Sequence, residues 1–169
     1  MLSVQDLYLS AKKSGLSRLR LEQYRVKVFN SFVTEDSWHA TIPVNSYTTK
    51  GVVYTVELHF TPVTFITEEE YNRVANAGRD KINGTWYYFI KPSNYSPLQC
   101  SCTCMNYVYT WAFPNAKKGV HYGPLPVIEP PKGVRPPRNP QHLPGMCKHI
   151  AAALNGTWGS FTRISIPKE

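Results

Sequence analysis

All four cysteines of the chain lie between Cys100 and Cys147. Three alternate in Cys100-Ser101-Cys102-Thr103-Cys104, and the fourth opens the tripeptide Cys147-Lys148-His149. Thiolate and imidazole at short spacing are the donors that suit zinc. On an extended chain, residues i and i+2 point to the same side, so a Cys-x-Cys pair can present two sulfurs to one ion. After Gly145 the chain is set to enter a helix, and a turn there brings Cys147 and His149 onto the same ion. Two such pairs supply four ligands, the number of a closed tetrahedral site. The first pair is either Cys100/Cys102 or Cys102/Cys104. A centre of this kind staples the two ends of the long segment between the pairs.

Other chemistries for these residues are weaker. Two disulfides would use up the four thiols, but a Cys-x-Cys bridge is strained, and a cytoplasmic origin disfavours disulfides. A Cys147–His149 dyad at a helix N-terminus would have a nucleophilic thiol. However, side chains two residues apart seldom align for catalysis, and no third orienting group is evident. His39, His59, His121 and His142 are isolated in sequence and read as surface or packing residues, with His142 the nearest alternative ligand. The sequons at Asn83, Asn94 and Asn155 read as coincidence, because the N-terminus lacks the continuous apolar stretch of a secretory signal. No carboxylate pair, phosphate-cradling loop or nucleophile triad is present, so a non-enzymatic role is expected.

The elements that must position the ligands can be read in outline. Ser3 and Asp6 form a capping box, predicting a short helix to about Lys13 that stops at Gly15. Residues 23–33 alternate apolar and polar, the period of a half-buried strand. Residues 51–60, GVVYTVELHF, are rich in β-branched and aromatic side chains and predict a second strand. Thr67 followed by three glutamates predicts a helix over 68–77, ended by Gly78. The Asn83-Gly84 turn leads into a third strand over 85–90, and YVYTWAF over 107–113 reads as a fourth. A helix over 145–154 should stop at Asn155-Gly156, with a last strand over 161–166. Strands and helices mix without βαβ alternation, so the fold class is α+β. The expected form is a small, mainly antiparallel sheet with two or three short helices. The expected organisation is an N-terminal part, 1–96, and a metal module, 97–169, joined in one unit.

Nine of the 14 prolines fall within residues 114–144. Proline lacks the amide donor and clashes inside a helix, so this stretch is expected to be neither helix nor central strand. The 169 residues are 42% hydrophobic and 13% aromatic, which excludes wholesale disorder. No apolar run is long enough to span a membrane. The net charge of +8 is compatible with nucleic acid, an acidic protein surface or an anionic membrane as partner. One basic group runs from Lys12 to Lys27. A second comprises Lys117, Lys118, Lys132, Arg135, Arg138 and Lys148, which with Tyr107, Tyr109 and Trp111 could grip a phosphate backbone.

Cys-x-Cys, a long spacer and Cys-x-His resemble the ligand pattern of SWIM-type zinc fingers. In that pattern a short polar step and an aromatic follow the first pair, as in Cys102-Thr103-Cys104-Met105-Asn106-Tyr107. The resemblance implies Zn2+ held by Cys102, Cys104, Cys147 and His149, with Cys100 as a spare thiol. The 42 residues over 105–146 make a spacer much longer than that of most SWIM domains. A narrower resemblance spans 102–150. The strings CTCMNYVYTWAFP, HYGPLP, RPPRNP and PGMCKHI are similar, in that order, to proteins encoded by large tailed bacteriophages, usually described as virion components. Those proteins often carry Asp-Phe where this chain has Asn106-Tyr107. The resemblance implies a zinc-stabilised structural protein located in the virion, in contact with other virion proteins in a symmetric assembly. Lys117, Lys118, Arg135 and Arg138 are then expected at partner contacts. The alternative it leaves is a SWIM-type nucleic-acid-binding protein.

Overall fold

The computed structural model describes residues 1–13, 26, 30–125, 127–129, 139 and 141–158. The class is α+β, with one four-stranded and one three-stranded antiparallel sheet and five short helices. Helix α1 (Val4–Lys13) begins at the expected capping box: the Ser3 amide donates to the Asp6 carboxylate at 2.9 Å, and the Asp6 amide to the Ser3 hydroxyl at 3.2 Å. Its buried Val4, Leu7 and Ala11 recur at three- and four-residue spacing and join the core.

The larger sheet has the order β1-β2-β3-β7, from β1 (Asn30–Val33), β2 (Trp38–Asn45), β3 (Val53–Phe60) and β7 (Leu98–Cys102). Trp38, Ala40, Ile42 and Val44 alternate onto one face of β2, and Val56, Leu58 and Phe60 do so on β3. On β7 the same face carries Leu98, Cys100 and Cys102, because Cys100 lies opposite Leu58 and Cys102 opposite Val56. Helix α5 (Lys148–Trp158) packs on this face through Ile150, Ala153 and Leu154. The other sheet, in the order β4-β6-β5, comprises β4 (Phe65–Ile66), β5 (Ala77–Ile82) and β6 (Thr85–Ile90). Its Phe89 is buried and joins the same core. Asn83 and Gly84, with φ of 50° and 84°, make the tight turn between β5 and β6.

Several expectations are corrected. Of the strand expected over 23–33, residues 30–33 form β1 and Val26 makes a single bridge to Val44; the remainder lies outside the described residues, as do Gly15 and the strand expected over 161–166. Strand β2 went unread. Its Pro43 discourages a strand reading, yet it lies opposite Thr55 of β3 and past the last β1 rung, Asn30↔Thr41. The helix after Thr67 has its full capping box but is only α2 (Glu68–Tyr71). Gly78 does not stop a helix; it lies inside β5, where a Cβ would come within 2.9 Å of the Lys91 side chain and 3.0 Å of Phe89. Helix α5 runs past Asn155 and Gly156, and Gly156 serves a close approach instead: a Cβ there would meet Val26 at 2.7 Å.

The largest correction concerns 107–113, which is two helices rather than a strand: α3 (Met105–Thr110) and α4 (Ala112–Lys117). Cys104 is the N-cap of α3, its sulfur accepting from the Tyr107 amide at 3.3 Å. Tyr107 and Trp111, four residues apart, are buried together, so tertiary packing overrides local β-propensity. Pro114 lies in the first turn of α4, where a missing amide donor costs nothing.

Candidate metal centre

Four side chains from three places in the fold converge. Cys102 ends β7, Cys104 caps α3, Cys147 precedes α5, and His149 lies in its first turn. All four are buried, and one donor atom from each lies within 4.8 Å of all the others. Cys102 Sγ stands 3.9 Å from His149 Nδ1, and the Cys104 amide points at Cys102 Sγ at 3.5 Å. The Tyr54 ring covers the imidazole at 4.5 Å between centroids. Backbone pairing sets the approach: Cys102 is fixed opposite Val56, and the next residue's hydroxyl accepts from the Thr55 amide at 2.9 Å. The chain turns at Cys104, which brings its sulfur back beside that of Cys102.

The electrostatics match a cation site. Hydrogen bonding from Cys102, then from Cys147, holds the Cys104 thiol far below the ordinary thiol range. The same bond to Cys104 raises Cys102, and burial raises Cys147 well above its ordinary value. A second or third negative charge in this dry pocket requires a positive charge between them. Three soft sulfurs and one imidazole nitrogen, converging with tetrahedral count, can hold a metal ion.

Cys100 lies outside the cluster. It is fully buried on β7, and burial pushes its thiol up to about 12. Its carbonyl accepts from the Tyr107 hydroxyl at 2.7 Å. His142 is also outside, edge-on to Phe113 at 6.2 Å. Lys117 is exposed at the end of α4 with its Nζ 4.7 Å from the Phe113 ring centroid, and Lys118 is exposed beside it. Arg135 and Arg138 lie outside the described residues, as does Lys132. Tyr107 and Trp111 are core residues rather than a stacking surface; of the three aromatics grouped with the basic residues only Tyr109 is exposed.

Two asparagines that the sequence reading missed hold the loop between the ligand pairs. Asn115 donates to the Gly145 carbonyl at 2.8 Å and accepts from the Gly145 amide at 2.8 Å. Asn139 donates to the carbonyls of Thr110 and Leu143, at 3.1 and 2.8 Å, and accepts from the Leu143 amide at 3.0 Å. Both are fully buried. Gly145 presses on Trp111 so closely that a Cβ would lie 2.6 Å from the indole. The Asn-Pro and Pro-Gly dipeptides at 139–140 and 144–145 are the available signals, and they mark turns without revealing buried anchors.

The chain matches no protein-family model, no curated protein and no solved structure. Among the described residues no helix is long and apolar enough to cross a membrane.

Proposed function

We propose that Cys102, Cys104, Cys147 and His149 bind one Zn2+ as a closed structural centre. The observation that carries this reading is the convergence of four buried donors of zinc-type chemistry from three separate elements. Zn–S bonds of about 2.3 Å give tetrahedral edges of about 3.8 Å, a separation that Cys102 Sγ and His149 Nδ1 already approach at 3.9 Å, and no two donors are more than 4.8 Å apart. Four protein ligands leave no position for a substrate or an activated water, which favours a structural over a catalytic role. The ion joins β7 to the start of α5 and so closes the long segment between them, work that a chain rich in proline does poorly through backbone hydrogen bonds.

The role proposed for the folded chain is a structural component of a tailed-phage virion, acting through protein–protein contacts. Its support is the ordered set of strings over 102–150 that resembles such proteins, together with the non-catalytic form of the centre. Cross-linking mass spectrometry on purified particles tests it. Lys117 and Lys118 should cross-link to other virion proteins, and absence of the chain from particles would overturn the role. DNA filter binding across a salt series tests the SWIM-type alternative. A steep loss of affinity with salt, reflecting several released counterions, would favour nucleic acid as the partner.

A further inference from the structure

The outer face of the larger sheet carries a ring stack in direct cross-strand register: Phe32 opposite His39, and His39 opposite His59. Phe32 and His39 are parallel at 4.2 Å between centroids, and His39 and His59 at 4.1 Å. The segment 119–125 leaves α4 and lies along the edge of β7. The Cys100 amide donates to the Val120 carbonyl at 2.8 Å, and the Tyr122 amide to the Cys100 carbonyl at 3.2 Å. Tyr122 then reaches over the sheet, its ring 4.6 Å from His59 and its hydroxyl 2.6 Å from His39 Nδ1. The other nitrogen, Nε2, is 2.9 Å from the Ser37 hydroxyl. Both nitrogens of His39 are thus engaged, and parallel rings send their lone pairs in parallel rather than converging directions. The stack is therefore not built as a second metal site.

We propose that His39, His59 and Tyr122 form an acid-released latch that holds the strap 119–125 across this face. Two stacked imidazoles cannot both carry charge without strong repulsion, and His39 is buried between Phe32 and His59. Burial and the neighbouring His59 charge push His39 down to about 4, against a smaller opposing pull from Asp36. The other titratable groups facing the strap are Glu57 on β3 and His121 on the strap itself, whose nitrogens lie 3.0 Å from the Tyr107 hydroxyl and 3.1 Å from the Leu125 carbonyl. Glu57 accepts from Thr41 at 2.8 Å, and burial raises its carboxyl, so on acidification it becomes neutral rather than countering the imidazolium. Closing the strap has a cost that leaves the contact poised. Gly123, with φ of 94°, sits over Ser101 and Glu57, and among the described residues the buried Ser101 hydroxyl has no hydrogen-bond partner. The strap is held by the two β7 hydrogen bonds, the Gln99 side chain donating to the Gly119 carbonyl at 2.8 Å, the buried Val120, the His121 contacts and the Tyr122–imidazole contact. Charging the stack weakens the last of these and frees the strap.

Amide exchange of Cys100 and Tyr122 in the zinc-loaded full chain, corrected for intrinsic pH dependence, tests the latch. Exchange should rise at least tenfold between pH 7.5 and pH 5, and His39→Phe, which keeps the ring stack but cannot protonate, should abolish that pH dependence. The same acid rise in His39→Phe would overturn the proposal and assign the change to the metal ligands. If His39→Phe fails to fold, the His39 ring titration followed by NMR in the unaltered chain decides. Its midpoint should coincide with strap release, and two separated midpoints would overturn the latch.

Discussion

The metal-ligand region and the three-stranded sheet are built on opposite principles. Around the ligands, four donors from β7, α3 and α5 meet at one point, and two buried asparagines fasten the connecting loop. The elements there are short: α3 and α4 have six residues each, below the length at which a helix holds itself together. The β4-β6-β5 sheet has no such centre. It rests on a tight turn, six cross-strand pairs between β5 and β6, and Phe89 inserted in the core. Its outer face carries Trp86, 45% exposed, with Arg79 4.9 Å and Lys81 5.6 Å from its ring centroid. Stability in the first region is concentrated in a few residues, and in the second it is distributed over many. Mutations should therefore act all-or-none in one and by increments in the other.

The largest effect is expected at the ligands. Cys104→Ser or Cys147→Ser should abolish metal binding, worth roughly 10–16 kcal/mol in small zinc modules, and unfold α3, α4 and the start of α5. Circular dichroism and metal analysis of the purified variants check this. In the other sheet, Phe89→Ala should cost about 3–5 kcal/mol through the cavity it leaves, with metal stoichiometry unchanged. Chemical denaturation with metal analysis on the same sample reads both. Asn115→Ala removes two hydrogen bonds to Gly145 and should cost about 2–4 kcal/mol, with its effect on amide exchange confined to the loop ends and α4.

Smaller effects sharpen the contrast further. His39 has its imidazole held below the ordinary histidine range. Its contribution is complete above about pH 6.5 and is lost as pH falls toward about 4, because the unfolded chain then binds a proton that the folded chain resists. Thermal melts of zinc-loaded protein across that window should show a drop that His39→Phe reduces. Trp86→Ala, on the exposed face of the second sheet, should change stability by less than about 1 kcal/mol.

Legibility in the sequence followed the same division. The cysteines and His149 stood out because thiols and imidazole are rare and closely spaced, but spacing left the first pair open between Cys100/Cys102 and Cys102/Cys104, and it is the fold that brings Cys102 and Cys104 together with Cys147 and His149. Strand β3 was legible because it is rich in β-branched and aromatic residues and buries Val56, Leu58 and Phe60 in alternation, and β6 because the Asn83-Gly84 turn leads into a run of aromatic residues. The helices at 105–117 were not, since Tyr107, Val108, Tyr109 and Trp111 favour strands locally, and the joint burial of Tyr107 and Trp111 with the Cys104 cap overrides that preference. Asn115 and Asn139 were invisible for a related reason: a buried polar anchor has no local pattern and is defined by partners 29 and 30 residues away. Gly78 and Gly156 read as stops because glycine usually ends helices, whereas here Gly78 makes room for Phe89 and Lys91 on and just beyond its paired strand, and Gly156 for Val26.

The central claim is that one zinc ion organises the metal-ligand region through Cys102, Cys104, Cys147 and His149 while Cys100 takes no part. Metal content measured by elemental analysis on reduced, purified protein, in parallel for the unaltered chain, Cys100→Ser and Cys104→Ser, tests it most directly. The account predicts one zinc per chain in the unaltered protein and in Cys100→Ser, and none in Cys104→Ser. No zinc in the unaltered chain, or zinc retained in Cys104→Ser and lost in Cys100→Ser, would contradict it.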